Sequence, residues 1–255
     1  MNPLLEVKDV CLSYHSLSGE TAALSHISFH LMPEEFLAVV GPSGCGKSTL
    51  LNLICGLLHA ESGTILMNGK PLNKDSARIG YMLQKDHLLE WRSIYRNVLL
   101  GLEIQGELTK DNLSYVDEML KLYELDKFRD SRPSQLSGGM RQRAALVRTL
   151  VLKPDLLLLD EPFSALDYQT RLSVSNDIGS IIQKEKKTAI LVTHDLAEAV
   201  SLADRIIILT ERPGRIHRII PVAFPEQLTP MERRDHADFK TYFNLIWKEL
   251  HHETT

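Results

Sequence analysis

The sequence predicts an α/β protein built on a mainly parallel sheet, and three observations support this class. Short, uninterrupted apolar runs at residues 36–40 and 156–159 have the composition of parallel strands that are covered on both faces. Stretches with helical periodicity separate such runs, which is the order of elements in a parallel sheet with crossover helices. The first run leads directly into a glycine-rich turn and then into a helical segment.

Length and composition narrow the class of protein further. The 255 residues suffice for one large domain, or for a core with one small subdomain. A hydrophobic content of 44% and a charged content of 24% are typical of globular proteins and exclude a disordered or fibrous chain. The net charge of −4, from 29 basic and 33 acidic residues, argues against nucleic acid as a partner, because phosphate neutralisation needs a basic excess.

The spacing of the cysteines and the lengths of the apolar runs indicate in which cellular compartment we expect the protein. Cys11, Cys45 and Cys55 are far apart, so we expect neither a disulfide framework nor a zinc site. Charged residues occur within the first nine positions, before the apolar core of a signal peptide could form. No run approaches the ~18–20 apolar residues of a membrane helix. If the protein works at a membrane, we expect it to work from the aqueous side.

Hydrophobic periodicity places the other elements along the chain. Alternation over residues 27–31 predicts a strand with one buried face, and residues 47–58 predict the helix after the turn. Further strands are predicted at residues 64–67, 79–83, 156–159, 189–193 and 206–210. Between about 91 and 152 the period becomes helical. A last helical stripe over residues 239–250 is expected to dock on the core, with a partner-binding helix as the alternative.

The glycine-rich turn satisfies the phosphate-loop pattern G-x-x-x-x-G-K-[ST]. Its nine residues are Gly41, Pro42, Ser43, Gly44, Cys45, Gly46, Lys47, Ser48 and Thr49. Glycines let the backbone amides curl inward around an anion, and the helix that follows adds its dipole and free amides. Lys47 would bring positive charge to the β- and γ-phosphates of a nucleotide, and the Ser48 hydroxyl would bind Mg²⁺.

A second candidate site is the acidic end of the strand at residues 156–159. Asp160 and Glu161 follow this run directly, and the carboxyl ends of parallel strands face the ligand crevice of such sheets. Asp160 would hold Mg²⁺, and Glu161 would polarise a water that attacks the γ-phosphate. The alternative is an ordinary strand end with solvated acids, and the phosphate loop upstream makes that alternative weaker.

The signature segment, residues 136–142 (Leu-Ser-Gly-Gly-Met-Arg-Gln), precedes another helical stretch. A serine hydroxyl and an amide-rich helix start could bind an anion. The same residues also fit a capped helix whose glycine pair makes the turn, and local physics alone favours that interpretation.

In their order along the chain, these motifs resemble those of an ATP-binding cassette (ABC) ATPase. The resemblance runs from about residue 5 to residue 220 and implies a P-loop NTPase core. Such a core has a mixed or parallel sheet, an antiparallel β subdomain and a helical insert subdomain. The implied domains are a cassette at 5–235, with its insert at about 90–152, and a C-terminal helix and tail at 236–255.

The resemblance also assigns roles to single residues. Beside the phosphate loop, the ATP-binding residues that it implies are Tyr14, Gln84, Ser137, Gly138, Gly139 and Asp167. It implies Lys47, Glu161 and His194 as catalytic residues. It implies Ser48, Gln84 and Asp160 as the Mg²⁺ ligands.

Each of these roles has a simpler alternative when the residue is considered alone. Tyr14 could be a packed aromatic residue, Gln84 a surface glutamine and His194 a structural histidine. Asp167 could cap the helix that follows it.

By the same resemblance, two copies form a head-to-tail homodimer. ATP would lie between Lys47 of one copy and Ser137 with Gly139 of the other. The implied partners are transmembrane permease subunits, which would dock near residues 84–91. By the resemblance, these residues form a groove that receives a cytoplasmic helix of the permease. Related importers often have proline where this chain has Glu90, so the resemblance does not fix the detailed fit of the groove.

The stretch Arg212-Pro213-Gly214-Arg215-Ile216 resembles the importers of nitrate, sulfonates and taurine. This resemblance implies an ATPase at the cytoplasmic face of the bacterial cell membrane that powers uptake of a small solute. An extracytoplasmic solute-binding protein would take part indirectly. A plain turn before a strand is the alternative for these residues. The alternatives for the whole chain are a non-transport or export-type ABC ATPase, and a monomeric P-loop switch or kinase.

Overall fold

The computed structural model describes residues 2–16, 19–72, 78–225 and 228–251. Residues 252–255, the end of the predicted C-terminal helix and tail at 236–255, lie outside these ranges. The chain divides into two compact units, which are described separately. The first unit contains Met1–Ala77 and Gly179–Thr255, and the second contains Arg78–Ile178.

The described residues form ten strands and eight α-helices. The strands are Leu5–Ser16 (β1), Gly19–Leu31 (β2), Phe36–Val40 (β3), Ser62–Met67 (β4), Lys70–Pro71 (β5), Ile79–Met82 (β6), Leu156–Asp160 (β7), Thr188–Val192 (β8), Arg205–Leu209 (β9) and Ile216–Pro221 (β10). The helices are Lys47–Ile54 (α1), Ile94–Gln105 (α2), Lys110–Leu122 (α3), Gly138–Leu150 (α4), Tyr168–Lys184 (α5), Leu196–Leu202 (α6), Pro230–Asp235 (α7) and Ala237–His251 (α8). Short 3₁₀ helices lie at Asp126–Phe128 and Pro133–Gln135.

An antiparallel sheet in the first unit has the strand order β2-β1-β4-β5. The β4–β5 turn contains Asn68 and Gly69 with φ of 52° and 72°, and an Asn-Gly pair is the residue pair that such a tight turn favours. Along β1 the register shifts between Val7 and Val10, so the strand carries an irregularity near its middle.

The rest of the first unit is built around strands β10-β9-β3-β8, in that order. Strand β3 pairs in parallel with β8 and β9, whereas β10 is antiparallel to β9. All five residues of β3 and of β8 are buried, as expected for parallel strands covered on both faces. The sheet is therefore mixed, as predicted.

The second unit combines the parallel pair β6–β7 with helices α2, α3, α4 and the first part of α5. Strand β7 is buried along its whole length. Helices α2 and α3 are capped at their N-termini by Ser93 and Thr109, each of which accepts a backbone amide of the first turn. The helical periodicity read from residues 91–152 thus corresponds to three α-helices.

Two helices differ from the prediction or refine it. Helix α1 was predicted to reach residue 58 but ends at Ile54, because Gly56 adopts a left-handed conformation with φ of 76° that stops it. Helix α8 docks through Ile246, which is fully buried, whereas Trp247 is 51% exposed. No helix among the described residues has both the length and the apolar character that spanning a bilayer requires.

Candidate functional site

The phosphate loop, residues 41–49, connects β3 to α1. Gly44 and Gly46 have φ of 77° and 104°, which glycine adopts without the penalty of a Cβ. Gly46 is the N-cap of α1, and no side chain caps that helix start. A Cβ on Gly41 would lie 2.9 Å from the Cys45 sulfur, so the loop is tightly folded. An uncapped helix start behind a tight glycine loop suits an anion.

Lys47 is the buried cation of this loop, with only 7% of its surface exposed. Its Nζ donates hydrogen bonds to the carbonyl oxygens of Gly41 at 2.8 Å and Pro42 at 2.9 Å. The ammonium group is thereby held against the loop backbone. Burial raises the pKa of the neighbouring Cys45 thiol, although the charge of Lys47 opposes this shift. The exposed members of the loop are Ser43, Gly44 and Ser48.

Tyr14 lies on β1 and is 42% exposed as a residue. Its hydroxyl is hydrogen-bonded to Thr49 Oγ1 at 3.0 Å, which ties the ring to the start of α1. Glu61 contacts both neighbours of Tyr14: its carboxylate accepts the Ser13 backbone amide at 3.0 Å and is hydrogen-bonded to the His15 side chain at Nε2, 2.7 Å away. Hydrogen bonding from His15 lowers the pKa of Glu61. The Tyr14 side chain is therefore held through its hydroxyl, and the strand around it through Glu61.

His194 lies at the same sheet edge as the phosphate loop. Val39 on β3 pairs with Val192 on β8 in a parallel register, so the residues that follow these two strands leave the sheet side by side. His194 is exposed there. The next residue, Asp195, caps α6 by accepting the Ala197 amide at 2.8 Å, which fixes the backbone behind the histidine.

In the second unit, a parallel register brings Gln84 and the two predicted acidic residues to one edge of the strand pair. Met82 on β6 pairs with Leu159 on β7. Gln84 follows β6, while Asp160 ends β7 and Glu161 follows it. The structure therefore brings these three candidate residues together, as the position of each after a strand predicts.

The Glu161 carboxylate is held by its neighbours. Gln84 Nε2 donates to Glu161 Oε2 at 3.2 Å, and the Ser164 hydroxyl donates to the Glu161 carbonyl oxygen at 3.0 Å. The backbone of Glu161 is left-handed, with φ of 45°, a conformation that costs free energy in a residue with a Cβ. Asp160 is buried and accepts a hydrogen bond from the Tyr81 hydroxyl at 3.3 Å. Neither Tyr81 nor Glu61 belongs to a motif, which is why sequence reasoning missed both.

The signature segment forms the start of α4. Ser137 is the N-cap, and its hydroxyl accepts the Met140 amide at 3.3 Å, so the capped-helix interpretation is correct as a local description. A cavity of about 330 Å³ opens beside this helix start. It is lined by Ser137, Gly139, Met140, Arg143, Gln169, Thr170, Ser173 and Val174.

Close packing explains the two glycines of the segment. A Cβ on Gly139 would lie 2.9 Å from Thr170 Cγ2 and 3.1 Å from Val174 Cγ2. A Cβ on Gly138 would lie 3.1 Å from Leu166 Cδ2. These distances are shorter than ordinary contacts between carbon atoms. The segment therefore needs glycine so that α4 can approach the start of α5.

Asp167 lies just before α5 and accepts the Thr170 amide at 3.1 Å. Hydrogen bonding from the side chain and backbone of Thr170 lowers the pKa of this exposed carboxyl. The capping role that the sequence left open is thus present.

The predicted ligand set suits a metal that is bound together with a nucleotide. Among the described residues, no three His, Cys, Asp or Glu side chains are grouped as a metal site. Ser48, Gln84 and Asp160 would supply a hydroxyl, an amide oxygen and one carboxylate. Mg²⁺ takes oxygen ligands and commonly binds through one or two carboxylates plus substrate phosphates and water. The chemistry of these donors therefore fits Mg²⁺ carried by ATP.

Comparison with known proteins decides the family. The family described as ABC transporter matches residues 24–164, which is more than half of the chain. The chain belongs to the ABC transporter family. An uncharacterized ABC transporter ATP-binding protein of Bacillus subtilis, YtlC, is 45% identical over 249 residues, covering 96% of this chain and 95% of that protein. The aliphatic sulfonates import ATP-binding protein SsuB of Bacillus cereus is 38% identical over 221 residues, covering 87% of each.

Solved structures of ABC cassettes share the fold. A dimeric structure of the ATP-binding cassette MJ0796 in a post-hydrolysis state with ADP and Pi matches with a TM-score of 0.74 and 29% identity, over 87% of this chain and 100% of that one. The structure of cbiO1 from Clostridium perfringens, part of the ABC transporter complex cbiONQ, matches with a TM-score of 0.77 and 26% identity. That match covers 100% of this chain and 99% of cbiO1. The chain is an ATP-binding subunit of an ABC transporter and an ATPase.

Proposed function

We propose that this ABC ATPase powers the import of a small solute, and that two copies close on ATP as a head-to-tail dimer. The support is that the chain contains two amide-rich helix starts, the phosphate loop before α1 and the signature segment before α4. A monomeric P-loop switch needs only the first. The dimeric cassette structure of MJ0796 supports the same arrangement.

In the first unit, the phosphate loop would hold the triphosphate. Its backbone amides and the Lys47 ammonium would face the negative charge of the β- and γ-phosphates. Tyr14 would stack its exposed ring on adenine, and His194 would contact the γ-phosphate. The location of Tyr14 and His194 beside the loop in this unit supports both roles.

In the second unit, Glu161 would orient the attacking water and accept its proton. Gln84 supports this role because its amide donates to the Glu161 carboxylate and so fixes the carboxylate at the sheet edge. Ser137, Gly138 and Gly139 of a second copy would close over the γ-phosphate, beside its Asp167. Phosphoryl transfer asks mainly for such positioning and charge stabilisation.

Ser48, Gln84 and Asp160 would hold Mg²⁺ together with the phosphates. When bound, this ion neutralises negative charge on the β- and γ-phosphate oxygens. The Tyr81 hydroxyl, which donates to Asp160, would orient that carboxylate.

The transported molecule is proposed to be a sulfonate, nitrate or taurine-like anion, or a related small molecule. The relative SsuB is named for aliphatic sulfonate import, and the Arg212–Ile216 stretch agrees with that group. The subunit would act at the cytoplasmic face of the membrane with permease partners. A solute-binding protein outside the membrane would deliver the cargo to the permease.

The central test is Glu161→Gln. This variant keeps the side-chain volume but removes the base, so ATP should bind without turnover and an ATP-dependent dimer should accumulate in sedimentation or light scattering. Glu118→Gln, at an exposed position on α3, is the matched control and should stay monomeric with ATP. A Glu161→Gln chain that remains monomeric at saturating Mg-ATP would refute the dimer.

The import proposal has its own test. The chain should co-purify with membrane proteins encoded beside it. In proteoliposomes of that complex, ATP hydrolysis should rise when the solute-binding protein delivers an alkanesulfonate, nitrate or taurine. Export of the same solutes from preloaded vesicles would contradict import.

A further inference from the structure

The turn formed by Arg212, Pro213 and Gly214 has no part in the proposed chemistry, yet it is firmly built. The Thr210 amide donates to the Arg215 carbonyl at 2.9 Å, and the Thr210 hydroxyl accepts the Arg215 amide at 3.0 Å. The single proton of this hydroxyl is shared between two carbonyl acceptors of the turn, Glu211 at 3.0 Å and Pro213 at 3.3 Å. One threonine thus closes the turn from inside and fixes its direction.

Gly214 fastens this turn to β2. Its amide donates to the Ala23 carbonyl and its carbonyl accepts the Ser25 amide, both at 2.9 Å. A Cβ on Gly214 would lie only 2.1 Å from the Cys45 carbonyl oxygen. The turn therefore lies directly against the phosphate-loop backbone, and glycine is required by the space, since its φ is not left-handed.

Arg212 makes the polar contact between the turn and the phosphate loop. Its Nε donates to the Gly44 carbonyl at 3.2 Å. Gly44 is exposed and has a left-handed φ of 77°. In an anion-binding loop the amides face the ligand, so carbonyls on the outside need other partners. Among the described residues, Arg212 is the one side chain that provides such a partner to Gly44.

We propose that the Arg212–Gly214 turn is a positioning element for the triphosphate, acting through Gly44 and Cys45. Arg212 is a positioning residue, because it acts on the loop from the outside. When Arg212 holds Gly44, the loop keeps its binding conformation before ATP arrives. Without this contact, part of the binding free energy of ATP is consumed in ordering the loop. The proposal rests on the proposed function in one respect, that the loop binds the triphosphate.

The test compares two ligands, Mg-ATP and Mg-tripolyphosphate, by calorimetry on the full chain. Arg212→Ala should lower the affinity for both ligands by the same factor of about tenfold. This factor is equivalent to ~1.4 kcal/mol, the scale of one hydrogen bond from a charged donor. The KM for ATP should rise similarly while kcat at saturation changes less than about twofold, because the ordering cost falls on binding. Arg212→Lys, which can still donate to Gly44, should recover most of the affinity.

Arg215→Ala is the matched control, since it removes an exposed arginine from the same segment. Arg215 makes no side-chain hydrogen bond within the described part of the chain, so both affinities should stay at the parent value. Equal losses in Arg212→Ala and Arg215→Ala would mean a general charge effect and overturn the proposal. Unchanged tripolyphosphate affinity in Arg212→Ala would overturn it as well.

A second variant perturbs the same turn and keeps the proposal testable if Arg212→Ala does not fold. Thr210→Val keeps the side-chain shape and removes the hydrogen bonds of the hydroxyl, while the Thr210 amide still donates to the Arg215 carbonyl. It should therefore weaken the binding of both ligands in the same ratio but less strongly. Failure of the underlying function has a different signature: Lys47→Met would then leave tripolyphosphate binding intact. The two failures are therefore distinguishable.

Discussion

The phosphate loop and the signature segment are both glycine-rich helix starts, but they use glycine differently. In the loop, Gly44 and Gly46 adopt left-handed angles that other residues resist. In the segment, Gly138 and Gly139 are helical, and a Cβ on either would press against α5 or the residues before it. Glycine serves backbone conformation in the first case and close packing in the second.

The two helix starts also differ in how they are capped. No side chain caps α1, and Lys47 places a buried cation at its first turn. Helix α4 is capped by its own Ser137, and Arg141 in its first turn is only partly buried. We therefore expect the loop to bind a triphosphate by itself. The segment should contribute only once a second copy has brought the nucleotide to it.

The largest expected effect is on ATP binding, and it distinguishes the phosphate loop from the signature segment. Lys47→Met should abolish ATP binding by the isolated chain and lower turnover by at least about a hundredfold, the scale for removing one preorganised charge. Ser137→Ala should leave binding by the isolated chain unchanged but reduce ATP-dependent dimerisation. Fluorescent-nucleotide titration and light scattering measure the two quantities. Equal loss of binding in both variants would remove the distinction.

Within the loop, the two left-handed glycines should differ in stability. Gly44→Ala meets no atom within 4 Å and should cost about 1–2 kcal/mol in the free energy of unfolding, the penalty of the angle alone. Gly46→Ala adds contacts of 2.7 Å to Leu24 Cδ2 and 3.0 Å to the Ala23 carbonyl, so its cost should be about 1 kcal/mol larger. Urea denaturation gives both values, and the reverse order would contradict this account of the loop.

In the signature segment, the cost should come from packing and should be repairable. Gly139→Ala is expected to destabilise by about 1–3 kcal/mol, as overpacking does. Adding Thr170→Ser deletes the methyl group that would lie 2.9 Å from the new Cβ and keeps the hydroxyl. This second change should restore part of the free energy of unfolding that Gly139→Ala loses. A double-mutant cycle by urea denaturation measures the coupling. Strict additivity would show that packing against Thr170 is not the reason for the glycine.

The smallest expected effect concerns pH at the start of α5. The pKa of Asp167 is lowered by Thr170, so the carboxylate adds stability above its unfolded pKa and loses it as pH falls through the folded value. Asp167→Asn keeps a capping acceptor but does not titrate. The difference in Tm between the parent and this variant should therefore shrink from about pH 6 to about pH 3. A difference independent of pH would show that ionised Asp167 adds nothing.

Much of this architecture could be predicted from local sequence. The apolar runs placed β3, β7, β8 and β9 within a residue or two, because strands buried on both faces leave a continuous hydrophobic signal. The same signal predicts Asp160 and Glu161 at the sheet edge, whereas only the family resemblance indicates His194. Helix α1 was predicted too long, since a cysteine and a glycine after Ile54 do not interrupt the apolar pattern.

The supporting contacts could not be predicted. Glu61 reaches Ser13 and His15 across 48 and 46 positions of sequence, and Tyr81 reaches Asp160 across 79. Such pairs depend on strand register, which no local pattern encodes. Local sequence explains the glycines of the signature segment as a turn, whereas in the structure they allow α4 to pack closely against α5 and the residues before it.

The left-handed backbone of Glu161 places thermal stability and the rate of ATP hydrolysis in opposition at one position. Glycine or asparagine would relax that angle, so a search for heat-resistant variants should select them there. Each such gain would delete the carboxylate assigned to water activation. Engineers who stabilise this subunit should therefore hold position 161 fixed and seek resilience in other parts of the chain.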